Sequence, residues 1–346
     1  MTSAIDHSRG ITRARFLVIS AGSIGKRHIS NLRALYPESE IAVLRLHHRL
    51  DPGDLPKGSN LQFAHLADAL AFKPDAAIIA SPAPTHLDIA LGLTAAHIPV
   101  LVEKPLHHTA AGVEQLVSLA NANNTKVSVG YNLRFLPSLQ RLKRALDEEL
   151  IGPVHYVRAE IGQYLPDWRP GSDYRNGVTA RSELGGGALL ELSHEIDYLY
   201  WLFGMPDKIT AAGGQLSDLE IDVEDCVDML WTYQSSRRII SVHMDMTQRL
   251  ATRNCKLCGK EGNLLWDAIA GTLQLQRPGE PPLWLSEPNE VHDRNDSYMA
   301  ELQVFLGSEK SAALASSAPS AADGLDVLRL IDAAREAITN GMEQDL

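Results

Sequence analysis

Two stretches of the chain carry residue types suited to moving a proton. The first is Leu101-Val102-Glu103-Lys104-Pro105, where an apolar run ends in charge. A residue before proline is held extended. An ammonium partly removed from water at a strand end loses some of its preference for the charged form, which suits Lys104 to proton transfer; a surface lysine paired with Glu103 is the plainer reading. The second stretch is Gly185-Gly186-Gly187 leading into Ala188–Phe203, a helical pattern stopped by Gly204. Within it His194 and Asp197 share a face, and Glu191 stands three residues before His194 on a neighbouring line. Carboxylates beside an imidazole set its tautomer and pKa for general-base work, although such a trio also serves as a solvated structural group.

A third stretch concerns phosphate. Phe16–Ile19 is a short apolar run that breaks at Ser20-Ala21-Gly22-Ser23-Ile24-Gly25 and restarts as a helix over Ser23–Leu35. A strand, a tight turn of small residues and a helix N-terminus together place backbone N–H groups and the helix dipole against a pyrophosphate. The pattern reads Ser-x-Gly-x-x-Gly, with Ser20 in the place of the usual first glycine. Arg45 lies 20 residues after Gly25, at the end of the next strand, and is followed by His47, His48 and Arg49. An acid there would select the ribose hydroxyls of NAD, whereas a cation attracts a 2′-phosphate, so the expected cofactor is NADP or NAD, with NADP slightly favoured. An Arg45 that merely extends from a strand end to water leaves both open.

These residues need a frame, and alternating strand and helix patterns supply one. Strands are predicted at Arg15–Ser20, Glu40–Leu44, Asp75–Ala80, Pro99–Val102 and Lys126–Gly130, with helices at Ser23–Leu35, Leu66–Phe72, Thr85–His97 and Thr109–Asn123. Repeated βα units with continuous apolar strands predict an α/β fold, a Rossmann-type doubly wound parallel sheet, over residues 13–131. His47–Asn60 reads as a loop. In such sheets ligands bind at the carboxyl ends of strands. This adds Ser81-Pro82-Ala83-Pro84-Thr85-His86, with Thr85 expected to cap the next helix, and makes Glu103 and Lys104 neighbours of the same cleft. Residues 132–346 follow as a second, α+β domain. A helix over Ser138–Leu150 precedes period-two patterns such as Val227, Met229, Trp231 and Ile240, Val242, Met244, Met246, which predict a large, mostly antiparallel open sheet. Ser311–Ala322 reads as a linker, and a helix over about 321–340 is expected to pack back on one of the domains.

Composition excludes other classes. The chain has 346 residues, 45% hydrophobic and 22% charged, with a formal net charge of −11, which describes a globular protein and argues against general nucleic-acid binding. No apolar run approaches a membrane span, Met1–Thr12 lacks a signal-peptide core, and a cytoplasmic location is expected. Cys226, Cys255 and Cys258 read as structural thiols; Cys255-x-x-Cys258 has no partner set for a metal, and none is expected. Arg134 can hold a substrate hydroxyl or the cofactor, or form an ion pair between domains. Tyr164, Asp173, Tyr174 and Arg175 can line a polyol or nucleotide-sugar pocket or belong to a solvated loop.

The chain resembles the Gfo/Idh/MocA oxidoreductases, named for glucose–fructose oxidoreductase and inositol dehydrogenase. The resemblance rests on Gly22-Ser23-Ile24-Gly25-Lys26-Arg27-His28, Pro82-x-x-Thr85-His86, Glu103-Lys104-Pro105, Gly130-Tyr131-Asn132-x-Arg134-Phe135, and Gly185-Gly186-Gly187 leading into His194-Glu195-Ile196-Asp197. It implies an NAD(P)-dependent dehydrogenase or reductase acting on a secondary alcohol or ketone of a sugar, polyol or nucleotide sugar, with Lys104 near the nicotinamide and the substrate hydroxyl. It also implies a cofactor-covering loop at Trp168-Arg169, and a homodimer or homotetramer formed through the open sheet. Many relatives place an aspartate four residues before the histidine, where this chain has Leu190; Glu191 is the nearest substitute. Two other readings fit the resemblance: a dinucleotide-binding regulator without catalysis, and a glycosidase that uses tightly held NAD for transient oxidation.

Overall fold

The computed structural model describes residues 14–46, 55–286 and 293–346. The tail Met1–Thr12 and the loop residues His47, His48 and Arg49 lie outside them. The chain divides into two compact units, one ending at Asn132 and taking in Ser297–Leu325, the other formed by Leu133–Asp296 and Asp326–Leu346.

The first unit runs β1 (Arg15–Ile19), α1 (Ser23–Leu35), β2 (Glu40–Leu44), β3 (Leu61–Phe63), α2 (Leu66–Ala71), β4 (Ala76–Ile79), α3 (His86–Ala95), β5 (Val100–Glu103), α4 (Val113–Ala122) and β6 (Val127–Gly130). All six strands are parallel, in the order β3-β2-β1-β4-β5-β6. Every residue of β4, β5 and β6 is buried, as a sheet covered on both faces requires. The strand order reverses between β1 and β4, the point where such sheets open a crevice at their carboxyl ends. β3 has only three residues, too short for periodicity to reveal. The helix expected from Thr109 starts at Val113, because Gly112 at φ +80° sets the left-handed turn that precedes it.

In the second unit α5 (Pro137–Asp147) and β7 (Val154–Gly162) are followed by α6 (Ala188–Glu191), α7 (His194–Phe203), β8 (Lys208–Gly214), β9 (Cys226–Tyr233), β10 (Arg238–Asp245), β11 (Thr252–Gly259), β12 (Asn263–Asp267), β13 (Thr272–Gln276) and β14 (Leu283–Ser286). After these come α8 (Arg294–Phe305), most of which belongs to the first unit, then α9 (Ala321–Asn340) and β15 (Gln344–Asp345). The nine-stranded sheet has the order β14-β13-β12-β11-β7-β10-β9-β8-β15 and is antiparallel except where β10 runs parallel to β7. β9 alternates buried Val227, Met229, Trp231 and Tyr233 with outward Asp228 and Leu230, so one face forms the core and the other stays open. On β11, Cys255 is buried and Cys258 half-buried, and both are free thiols.

The C-terminal third departs from the expected linker. Residues Glu309–Ser317 coil into 3-10 turns. Pro319 then accepts from Val129 N–H at 3.0 Å, and Ser320 bridges Ser128. The segment therefore covers the outer edge of β6, which would otherwise present unpaired backbone groups. Upstream, Leu302, Phe305 and Leu306 of α8 and its end join the core formed by Phe16, Val18, Ile29 and Leu32. Lys126 Nζ donates to the carbonyls of Val304 and Phe305 at 2.9 Å, closing the C-terminus of α8. No helix among the described residues is long and apolar enough to cross a membrane.

Candidate functional site

The turn after β1 has the shape a dinucleotide needs. Ser20 takes φ +70°, the left-handed conformation that explains why glycine is the common choice there. Its N–H donates to Leu44 O at 2.9 Å, tying the turn to the end of β2. Gly25 has no room for a side chain, since a Cβ would run into the Ser20 carbonyl. At Gly22 the space is open, which suits backbone approach by a ligand. Gly22 is the N-cap of α1, with no side chain capping it and no acid in the first turn. The first N–H groups of α1, from Ser23 and Ile24 onward, remain suited to an anion, so these residues fit a pyrophosphate. Arg45 follows directly on β2, its N–H donating to Phe63 O at 2.9 Å and its Nε lying 3.5 Å from Gln62 Oε1.

Two further loops end neighbouring strands. After β4, Thr85 does not cap α3. Its hydroxyl donates back to Pro82 O at 2.8 Å and receives the Ser81 hydroxyl at 2.7 Å, because Pro84 tightens Ala83–Thr85 into a 3-10 turn that brings those oxygens close. His86 is fully buried, with Nε2 2.7 Å from Ser81 O and Nδ1 3.0 Å from Pro105 O. Burial holds it below the ordinary imidazole value, against the pull of both carbonyls and of Glu103. The ring lies between the Ser81 loop and the loop after β5, and as a neutral imidazole it donates to one of the two carbonyls. There the Lys104–Pro105 peptide is cis and Lys104 is half-buried. Glu103 turns away from lysine-pairing: its Oε1 accepts from His28 Nε2 at 2.6 Å, and its Oε2 accepts from Lys104 N–H at 3.3 Å. The tautomer follows, since a carboxylate can only accept. His28 on α1, visible in the sequence but given no role there, thus fixes the residue that precedes Lys104.

In the second unit, the helix expected over Ala188–Phe203 is two helices. Leu192 N–H still reaches Ala188 O, but Glu195 N–H turns to Leu192 O, three residues back. The break at Leu192 and Ser193 ends α6 at Glu191 and makes His194 the first residue of α7, so Glu191 and His194 do not share one helical face. Glu191 instead accepts from the Thr179 hydroxyl at 3.2 Å. Gly187, at φ +105°, lies where a Cβ would overlap the Glu224 carboxylate. That carboxylate accepts from Leu189 N–H at 3.1 Å and caps α6; burial raises its pKa despite Arg335.

Asp197 and Arg134 meet each other. Arg134 Nη2 donates to Asp197 Oδ1 at 2.7 Å and Nε lies 3.0 Å from Oδ2, with both residues essentially buried. The pair is internal to the second unit, where the sequence suggested a substrate contact or a link between domains. Glu195, absent from the sequence-based candidates, is also buried and pairs with Arg253 Nε at 2.8 Å. Its charge sits in an apolar helix and its partner is 58 positions away, so spacing carried no signal.

The segment after β7 forms a pocket of about 170 Å³ lined by Leu165, Pro166, Trp168, Arg169, Tyr174 and Thr179, among others. Trp168 is steadied by donating from Nε1 to Gln163 O at 3.0 Å. Arg175 lies outside this lining and forks onto Asp173 at 2.9 and 3.0 Å, with Glu220 at 3.3 Å. Tyr164 is covered by the Arg249 guanidinium, 3.5 Å from its ring centre. Among the described residues no group of three or more His, Cys, Asp or Glu is arranged to hold a metal.

A doubly wound sheet with this cradle at its switch point defines a dinucleotide-binding α/β protein. Family models sharpen that class: residues 14–131 match the oxidoreductase family with an NAD-binding Rossmann fold, and residues 139–265 match the GFO/IDH/MocA C-terminal domain. The chain belongs to the GFO/IDH/MocA oxidoreductase family. It is similar to trans-1,2-dihydrobenzene-1,2-diol dehydrogenase of Xenopus tropicalis, 26% identical over 257 residues that span 71% of this chain and 72% of the relative. It is also similar to inositol 2-dehydrogenase of Rhizobium meliloti (strain 1021), 27% identical over 341 residues, or 94% and 96% of the two chains. The solved structure of levoglucosan dehydrogenase in complex with NADH and levoglucosan shares the fold with a TM-score of 0.82 at 19% identity, covering 96% of this chain and 99% of that one.

Proposed function

We propose that this protein is an NAD(P)-dependent dehydrogenase or reductase for a secondary alcohol or ketone of a sugar, polyol or nucleotide sugar. The observation that carries the reading is the common edge of the parallel sheet: the open cradle at Gly22 ends β1, and Lys104, fixed through Glu103 and His28, ends β5. Relatives named for inositol, a dihydrodiol and levoglucosan support the substrate class, since each of those molecules carries secondary hydroxyls.

The bound nicotinamide supplies or accepts the hydride; the chain's own residues do the rest. Gly22, Ser23 and Ile24 offer backbone N–H groups to the pyrophosphate, while Ser20 and Gly25 shape the turn. Ser81, Pro82, Thr85 and His86 form the adjoining wall, and Trp168 and Arg169 serve as cofactor cover. Lys104 polarises the substrate oxygen and His194 takes or returns its proton. Asp197 and Arg134 act on His194 through the setting of α7. Tyr174 lies in the Trp168–Arg169 pocket and is offered to the substrate, whereas Arg175 and Tyr164 are held by Asp173 and Arg249. Arg45 adds affinity for a 2′-phosphate and inclines the site to NADP over NAD. Apolar Leu230 and Ile239, exposed on the open sheet face, support a homodimer or homotetramer through that face.

Titration of the purified protein with NADPH, NADP, NADH and NAD, beside Arg45→Ala, tests the cofactor assignment. Loss of a guanidinium–phosphate pair should weaken NADPH about tenfold and leave NADH within twofold. An unchanged NADPH-to-NADH ratio removes Arg45 from cofactor choice. Saturable binding of none of the four, by protein free of copurified nucleotide, overturns the reading.

A further inference from the structure

We propose that Glu195 and Arg253 are positioning residues that, together with the Arg134–Asp197 pair, set the direction in which His194 points. The proposal rests on the proton-transfer role given to His194 above. His194 is the first residue of α7, and the break at Leu192 and Ser193 separates it from α6. The direction in which its Cα–Cβ bond leaves the helix is therefore set by how α7 is rotated about its own axis.

Two anchors fix that rotation. At about 100° per residue, Glu195 and Tyr198 lie about 100° and 40° to one side of the His194 line. Asp197 and Trp201 lie about 60° and 20° to the other side. On the first side β11 acts as a ruler. Arg253 and Cys255 are two apart on that strand and so share a face; Arg253 pairs with Glu195 at 2.8 Å, and Tyr198 packs edge-on against Trp266 of the neighbouring β12 at 5.3 Å between ring centres. Burial pushes the Cys255 thiol up to about 12 and Tyr198 well above its ordinary value, so both stay neutral packing groups. On the second side Arg134 grips Asp197 at 2.7 Å and lies 5.6 Å from the Trp201 ring centre. A helix held along lines on both sides of His194 cannot turn in either direction without pulling a buried charge from its partner.

The test uses two conservative variants of the full chain, Glu195→Gln and Arg253→Lys, with His194→Gln in parallel. Ring nitrogens are observed by NMR on [15N]histidine-labelled protein, His194 being identified by its absence in His194→Gln. Turnover of myo-inositol with NAD and NADP is measured on the same samples. Expected are shifted or broadened His194 ring resonances in both variants, with NADH affinity within twofold of wild type and kcat lowered on the order of 10- to 100-fold at little change in KM. Wild-type His194 resonances, with only a lowered Tm, overturn the proposal and leave a purely structural ion pair. Should Glu195→Gln unfold, Arg253→Lys, which keeps the cation, decides by the same spectra. Turnover of myo-inositol undiminished in His194→Gln would instead sink the role assigned to His194, while the spectra still judge the clamp.

Discussion

The two sheets place chemistry in different ways. Strands β4, β5 and β6 of the parallel sheet are buried along their whole length, so no face is left for function, and the candidate groups sit where strands end: Ser20, Ser81, Glu103 and Lys104. Their positions are set by backbone, through a left-handed Ser20, a 3-10 turn at Ala83–Thr85 and a carbonyl held by His86. The nine-stranded sheet keeps one face for its core and leaves the other open, and its control is exercised by side-chain pairs such as Glu195 with Arg253. Sites made from backbone tolerate change in side chains but not in volume at a turn; sites made from buried charge pairs behave in the opposite way.

The strongest break in that comparison is Arg134→Met. It leaves Asp197 as a buried carboxylate without its arginine, and should cost about 3–5 kcal/mol in urea unfolding. Adding Asp197→Leu should recover much of the loss, and a double variant as unstable as the single would show that the charge pair is not the cause.

Next in size is Gly25→Ala. The added methyl meets the Ser20 carbonyl, so the turn must open, at a cost of about 1–3 kcal/mol. NADH affinity should fall at least about tenfold, since the N–H groups of α1 are displaced from the pyrophosphate. Wild-type affinity in a folded Gly25→Ala protein would place the phosphates elsewhere.

The smallest effect belongs to the open face. His243 lies 3.1 Å from Asp245 and 3.0 Å from Asp228 by its two ring nitrogens. Asp245 first, then Asp228, raise it to about 9 from 6.5, with burial opposing. Its folded value exceeds its unfolded one, so its contribution is full below pH 6.5 and is lost as pH rises through about 9. For Asp245, burial acts upward but hydrogen bonds from His243, Thr247 and Gln248 outweigh it, holding the carboxyl low; that contribution is full above 3.8 and is lost as pH falls through its folded value. Between pH 6.5 and about 9.5 the wild-type Tm should drop a few degrees further than that of His243→Gln. Parallel Tm curves would show that solvent screens the cluster completely.

Much of this was legible in the chain. The parallel strands follow from continuous apolar runs, α1 and α9 match their periodic patterns residue for residue, and the phosphate turn was visible through Gly22 and Gly25 despite Ser20. Local chemistry alone decides such features. The break at Leu192 and Ser193 was not legible, because both residues are compatible with a helix and only hydrogen bonding to Leu192 reveals the turn. The cover over β6 was hidden for a similar reason: Ser and Ala at 311–318 are as common in linkers as in 3-10 turns.

By itself, then, the sequence determined the order of βα units, the cradle for a dinucleotide and the family to which the chain belongs, since all three rest on residues near one another. Tertiary structure alone decided the partners of the charged groups: Glu103 with His28, Asp197 with Arg134, Glu195 with Arg253, at separations of 75, 63 and 58 positions. The physical reason is that a buried charge must find its counter-charge in space, and the fold chooses which distant strand or helix supplies it.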